Sequence, residues 1–333
     1  MKNKLFYGIV FGSMAVLALG FSQKKLAPTA LQYPKTWPQP SYDFSKNPLS
    51  PAGIELGRQL FYDPILSRDS TVSCASCHLS FTAFTHVDHA LSHGIEDRVG
   101  RRNSPSLMNL AWAQSFMWDG AVHHLDFQAL APISDPAEMD HAIEKVVQQL
   151  AALPAYTQRF QEAFGSSVVT GERVLKAIAQ FELTLISAHS KYDRMVLGQD
   201  TFTVQEKNGY QLFQKNCARC HAEPFFTHFG FEKNGLPIDT SLNDFGRVRI
   251  TQNPSDSLKF KVPTLRNIEF SAPYMHDGRF RKLREVLNHY ATSANVQPQI
   301  TLSDDEKTDL LAFLLTLTDK QFLFNEQFSF PKK

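Results

Sequence analysis

Four cysteines in 333 residues are too few for a disulfide framework. All four fall inside two copies of one short pattern, so none is left over for a bridge. Basic runs are absent beyond the first residues, and a formal net charge of +1 argues against a nucleic-acid binder. Long apolar runs are absent beyond Leu5–Phe21, so no later segment is suited to span a bilayer. No strand-rich region appears, which points to a mainly α fold. The length is ample for two domains, and the 43% hydrophobic and 20% charged content is that of an ordinary globular protein.

The apolar run is preceded by Lys2 and Lys4 and followed by Ser22-Gln23-Lys24-Lys25. Residues 1–22 read as a secretory signal, and their length also fits an uncleaved anchor. No cysteine follows the run, which excludes lipid attachment through one. Residues 23–50 carry Pro28, Pro34, Pro38, Pro40 and Pro48 and read as a lead-in that wraps on a folded body or stays mobile.

The repeated pattern is Cys74-Ala75-Ser76-Cys77-His78 and Cys217-Ala218-Arg219-Cys220-His221. Cys-x-x-Cys-His is the attachment signature of a c-type haem. Two thiols three positions apart on a helical turn reach the two vinyl groups of one porphyrin, and the adjoining histidine falls beneath the iron. A structural zinc site needs four ligands and gives no reason for a histidine after each pair. Two covalent haems are therefore expected. Such haems are attached outside the bacterial inner membrane, so the targeting segment and the motifs agree on a periplasmic protein.

The repeat extends further. Each motif follows Gly-x-x-Leu-Phe, at Gly57 and Gly209. Pro105-Ser106-Leu107-Met108-Asn109 reaches Trp118-Asp119-Gly120, and Pro263-Thr264-Leu265-Arg266-Asn267 reaches His276-Asp277-Gly278 at the same fifteen-residue interval. This predicts two related haem-binding units about a pseudo-twofold axis, divided as 51–195 and 196–333. Between the motifs, helices are expected over His141–Leu153 and Tyr156–Phe164, the latter stopped by Gly165. Another should follow, with Val174, Ile178, Phe181 and Leu185 on one face. Ser190–Thr203 reads as a polar connection. Ser303 with Glu306 forms a capping box that opens a last helix.

These motifs, with Arg102-Asn103-Ser104-Pro105, Lys261-Val262-Pro263 and Ala272-Pro273-Tyr274-Met275-His276-Asp277-Gly278, resemble bacterial dihaem cytochrome c peroxidases over roughly residues 50–320. The superfamily includes the enzyme that matures methylamine dehydrogenase by oxidising tryptophans. The resemblance implies two cytochrome c-like domains, with peroxide handled at the N-terminal haem and electrons passed through the C-terminal one. It implies Glu138 as the distal acid, Gln128 as its partner in orienting peroxide, and Trp118 between the haems. It places Tyr290 where ordinary peroxidases carry a methionine ligand to the second iron, as in the maturation enzyme; His289 and Met275 are the other candidates. At the first iron His93 matches a distal histidine, although an alternative anchoring puts Ile95 there. Calcium between the domains is implied, held by the Asn103 side chain and the carbonyls of Ser271 and Pro273.

The leading expectation is a peroxidase that reduces hydrogen peroxide with electrons from a small c-type cytochrome or similar donor. One alternative is an oxidase that withdraws electrons from aromatic residues of a protein substrate, which Tyr290 favours. The other is a dihaem electron carrier. The resemblance also allows a homodimer.

Overall fold

The structure is a computed structural model and describes residues 28–296 and 298–331; the targeting segment lies outside them. It is mainly helical. The helices are α1 (Pro51–Tyr62), α2 (Cys74–Cys77), α3 (Leu130–Ser134), α4 (Ile143–Ala151), α5 (Pro154–Phe164) and α6 (Gly171–Leu183). After them come α7 (Lys191–Val196), α8 (Val204–Asn216), α9 (Val248–Thr251), α10 (Leu283–Thr292), α11 (Asp304–Leu315) and α12 (Lys320–Leu323). Among the described residues the sheet structure is one antiparallel pair, β1 (Phe231–Lys233) with β2 (Lys259–Lys261), Phe231 facing Lys261. None of the helices is long and apolar enough to cross a membrane.

Two helix pairs build the two units. In the first, α1 packs on α6; in the second, α8 packs on α11. Each crossing is fixed by the glycine of Gly-x-x-Leu-Phe. A Cβ on Gly57 would lie 1.8 Å from the Ala177 carbonyl oxygen and 3.1 Å from Phe181 Cβ. A Cβ on Gly209 would lie 1.9 Å from the Asp309 oxygen and 2.9 Å from Phe313 Cβ. Only hydrogen fits at either crossing. The apolar faces then close two cores. Leu56, Leu60, Val146, Phe160, Val174 and Ile178 fill the first. Phe213, Phe226, Leu310, Phe313 and Leu317 fill the second. Each of these side chains contributes about 1.5–3 kcal/mol by leaving water.

The downstream repeat is structural as well. Asn109 and Asn267 both take left-handed backbone (φ 55° and 57°), each followed by a short 3-10 turn. Met117 and Met275 do the same (φ 68° and 75°) inside matching bridges, Phe116 with Val122 and Tyr274 with Phe280. Left-handed backbone at a bulky residue is uncommon, and its recurrence at equivalent positions marks two copies of one design.

Several local expectations hold with small shifts. The helix expected over His141–Leu153 is α4, and Gly165 ends α5 with φ 71°. Ser303 and Glu306 form their capping box. The connection at Ser190–Thr203 is not plain loop. Ser190 and Asp193 form a second capping box there and start α7. The lead-in wraps on the body. Trp37 is buried edge-on to Trp112 at 5.3 Å and to Phe225 at 4.9 Å, so it touches both units. The tail also crosses back, because Phe322 and Phe328 pack with Phe61 and Phe84 of the first unit. The first unit thus includes residues from both ends of the chain.

Candidate functional site

The first motif occupies α2, and Ser73 with Ser76 caps its start. His78 Nδ1 lies 2.7 Å from the Phe84 carbonyl oxygen. Nδ1 therefore carries the proton and leaves the Nε2 lone pair for a metal. His221 repeats the arrangement, with Nδ1 3.1 Å from the Phe226 oxygen. Both carbonyls belong to phenylalanines with positive φ, 57° and 54°. Burial pushes both imidazoles down to about 4, which keeps them neutral and ligand-ready. Burial likewise raises the proton affinity of Cys74, Cys77, Cys217 and Cys220. Two thiols and one oriented neutral imidazole at each motif are the donor set a c-type haem needs. The residues present fit two such groups.

Glu138 sits beside the first motif. Its backbone oxygen accepts from Ile95 N at 2.8 Å, and its Oε1 accepts from Ser92 Oγ at 3.1 Å. The Gly94 backbone is pressed against it, since a Cβ there would lie 2.3 Å from the Glu138 oxygen. The carboxyl is close enough to raise the proton affinity of both Cys74 and Cys77. Its own proton affinity is raised by burial first and by Asp135 second, against the opposing Ser92 hydrogen bond.

Gln128 and Trp118 share a cleft with Pro105, Met108, Pro263 and Lys261, residues from both units. Gln128 Nε2 points at Met117 Sδ, 3.7 Å away. Trp118 is buried and donates from Nε1 to the Asn103 carbonyl at 2.7 Å. Its own carbonyl accepts from Lys261 N at 2.7 Å. Trp118 is thus held by Asn103 through its indole and by Lys261 through its backbone. Beside it Arg102 bonds Asp244 of the second unit through Nε at 2.5 Å and Nη2 at 2.8 Å, and Asp119 through Nη1 at 2.7 Å.

Tyr290 projects from α10 toward the second motif, where Cys217 and Cys220 and, above all, burial raise its proton affinity. The neighbouring His289 is engaged elsewhere, with Nε2 2.8 Å from the Asn234 oxygen. Met275 lies in the left-handed turn that matches Met117. At the first motif, His93 brings its carbonyl to 3.4 Å from Cys77 Sγ, and its ring stacks on His89 at 4.0 Å, which stacks on His86 at 5.0 Å. Ile95 is fully buried next to Glu138. Asn103 donates from Nδ2 to the Ala90 oxygen at 3.0 Å and from its backbone to the His276 oxygen at 2.7 Å. That places it against the turn bridged by Tyr274 and Phe280.

Three features were not anticipated from the sequence. The Phe84 and Phe226 carbonyls that orient the histidines carry no side-chain signature. Ser92, which holds Glu138, reads as an ordinary loop serine. Glu182 is a carboxyl buried in α6 near Cys74, and it is not among the residues that mark the apolar face of that helix. A further trio, Cys220, His228 and Glu232, brings three ligand atoms within 4.8 Å. It is not a separate metal site, because Cys220 belongs to the haem motif and His228 Nδ1 already accepts from Gly230 N at 2.8 Å.

Comparison with known proteins gives the family and the fold. The family model described as di-haem cytochrome c peroxidase matches residues 51–201. The chain is 36% identical to the methylamine utilization protein MauG of Methylorubrum extorquens over 317 residues, covering 89% of this chain and 86% of that one. It is 37% identical to cytochrome c551 peroxidase of Nitrosomonas europaea, covering 80% of each. Among solved structures, a MauG-like protein associated with microbial copper homeostasis superposes with a TM-score of 0.83 at 32% identity. That match covers 91% of this chain and 99% of the other. The diheme peroxidase BthA of Burkholderia thailandensis has the same fold, with a TM-score of 0.74 at 24% identity over 86% of this chain and 91% of its own.

Proposed function

The chain belongs to the di-haem cytochrome c peroxidase family, with two c-type haems, and from that premise we propose how its own residues divide the work. It is an oxidoreductase of the peroxidase type. Hydrogen peroxide is the proposed oxidant and a small c-type cytochrome the proposed electron donor. The haems, once bound, supply redox-active iron for peroxide reduction and electron transfer.

The observation that carries the reading is the carboxyl of Glu138. It faces the first motif, is held by Ser92 and keeps a raised proton affinity. A carboxyl in that state takes a proton from one peroxide oxygen and returns it to the other, which is general acid–base catalysis by one group. The amide of Gln128 orients peroxide from the cleft. Trp118, bonded to Asn103 and Lys261, would relay electrons between the haems. His78 and His221, each with Nε2 left free by its Nδ1 contact, would ligate the two irons. Tyr290 is proposed as the distal ligand of the second iron, supported by its approach to Cys217 and Cys220 and by the prior engagement of His289. His93, whose ring stacks on His89, would be the further ligand of the first iron. Calcium at Asn103, Ser271 and Pro273, a periplasmic location and a homodimer complete the proposal.

The test is rapid mixing of the oxidised protein with one equivalent of hydrogen peroxide, followed by reduced cytochrome c. Glu138→Gln should slow peroxide turnover at least about a hundredfold, the usual size of a lost acid–base group. Full turnover in that variant refutes the assignment. Tyr290 also favours a second reading, oxidation of aromatic residues on a protein substrate. Oxidising equivalents that survive for minutes without a cytochrome donor would select it.

A further inference from the structure

Lys261 closes β2 and its ammonium faces the cleft shared by the two units. It donates to Ser115 Oγ of the first unit at 3.0 Å and to the Phe229 carbonyl of the second at 2.9 Å. An ammonium has three N–H donors, so one is unused. No carboxylate among the described residues pairs with it. Asp256, in the turn before β2, is taken by Lys259 at 3.0 Å and approached by Arg247 at 3.9 Å. The charged neighbour that acts on Lys261 is Arg247, whose sign is the same. Both cations lie over the Phe231 ring, Lys261 at 5.1 Å and Arg247 at 3.9 Å. Burial with Arg247 therefore pushes the amine down to about 8. A half-buried cation beside a second cation, with a spare donor aimed at a cleft, is one half of an ion pair.

A c-type haem is tethered at its vinyl edge and carries two carboxylates on the opposite edge. We propose that Lys261 anchors one of these propionate carboxylates, and that its charge holds the anchored haem at a higher potential. The inference rests on the presence of the haems and not on the peroxidase reading. A fixed positive charge beside the macrocycle disfavours the more positive, oxidised iron and so favours reduction. The arrangement also ties that carboxylate to the domain boundary. The backbone N of Lys261 donates to the Trp118 carbonyl, and its side chain reaches Ser115 across the same boundary.

The test is spectroelectrochemical titration of both haems in the holoprotein, comparing wild type with Lys261→Met and Lys261→Arg. Haem content and circular dichroism would be checked first. Lys261→Met should lower one midpoint so that its oxidised-to-reduced ratio at fixed potential rises about tenfold, equal to about 59 mV for one electron. Lys261→Arg should keep the wild-type value. Should the Met variant fail to fold, Lys261→Gln takes its place in the same comparison. Unchanged midpoints in a fully loaded neutral variant overturn the proposal. Equal shifts in the neutral and Arg variants overturn it too, because charge would then not be the cause.

Discussion

Glu182 offers a sharp test of the buried electrostatics. Its side chain lies inside α6 at 2% exposure, and Oε2 has no hydrogen-bond partner among the described residues. Burial, with a smaller contribution from Asp126, pushes its pKa from an ordinary 4.5 up to about 8. The folded protein therefore holds a proton between those values that the unfolded chain has released. Stability must fall as pH rises across that window, because the native state binds more protons there. At 1.36 kcal/mol per pH unit, the loss is ~3 kcal/mol by pH 7 and ~5 kcal/mol above pH 8. Glu182→Gln keeps the volume and removes the titration. Urea denaturation of the holoprotein should then show a variant whose advantage over wild type grows from near zero at pH 4.5 to ~3 kcal/mol at pH 7. A difference that stays constant from pH 4.5 to pH 9 refutes the reasoning.

The helix crossings give a second prediction. Gly57→Ala and Gly209→Ala, which force Cβ atoms to within 2 Å of the Ala177 and Asp309 carbonyls, should each cost about 2–3 kcal/mol in chemical denaturation. Ser92→Ala removes the hydrogen bond that opposes the raised proton affinity of Glu138. The acid limb of the kcat/KM profile should therefore move to higher pH in that variant. Trp118→Phe keeps an aromatic ring but loses the Nε1 bond to Asn103. Stopped-flow reduction should show slower electron transfer between the haems, with haem content unchanged.

The parts of this molecule that chemistry writes as residue types were legible in the sequence. Cys-x-x-Cys-His names its cofactor because thioether linkage and iron ligation need those side chains at that spacing. Gly57 and Gly209 announced close helix contacts because glycine is the residue that permits them. The capping box at Ser303 was readable for the same local reason. What escaped was carried by backbone or by burial. The carbonyls of Phe84 and Phe226 orient the two histidines, and a carbonyl is common to every residue. Glu182 and Lys261 are ordinary helix and strand residues until the fold removes their water. Ser190 and Asp193, polar residues that suggest a connection, begin a helix because each satisfies the other's backbone N–H.

The repeat explains more than the ancestry of the two halves, because its differences fall at the chemical positions. Phe84 and Phe226, Asn109 and Asn267, and Met117 and Met275 take the same backbone conformations in both units. The scaffold beneath each haem motif is therefore nearly the same. Above it the units diverge. The first has Glu138 and Gln128 supplied by the segment around α3, while the second has Tyr290 from α10. Where the first unit places Trp118, bonded to Asn103, the second places His276, stacked on Phe260 at 3.6 Å with Nδ1 unpaired among the described residues. A carboxyl of raised proton affinity beside one motif and a phenol beside the other set two different side chains on one repeated scaffold. Trp118 and His276 meet at Asn103, which accepts from the indole through its carbonyl and donates its N–H to the His276 carbonyl. Among the described residues, Asn103 is thus the one hydrogen-bonded to both members of the divergent pair. Asn103→Ala keeps those two backbone bonds and removes only the side-chain bond to Ala90. If the side chain also binds calcium, that variant should lose the ion and change the rate of electron transfer between the units. If its role is confined to backbone, the rate should stay at wild type.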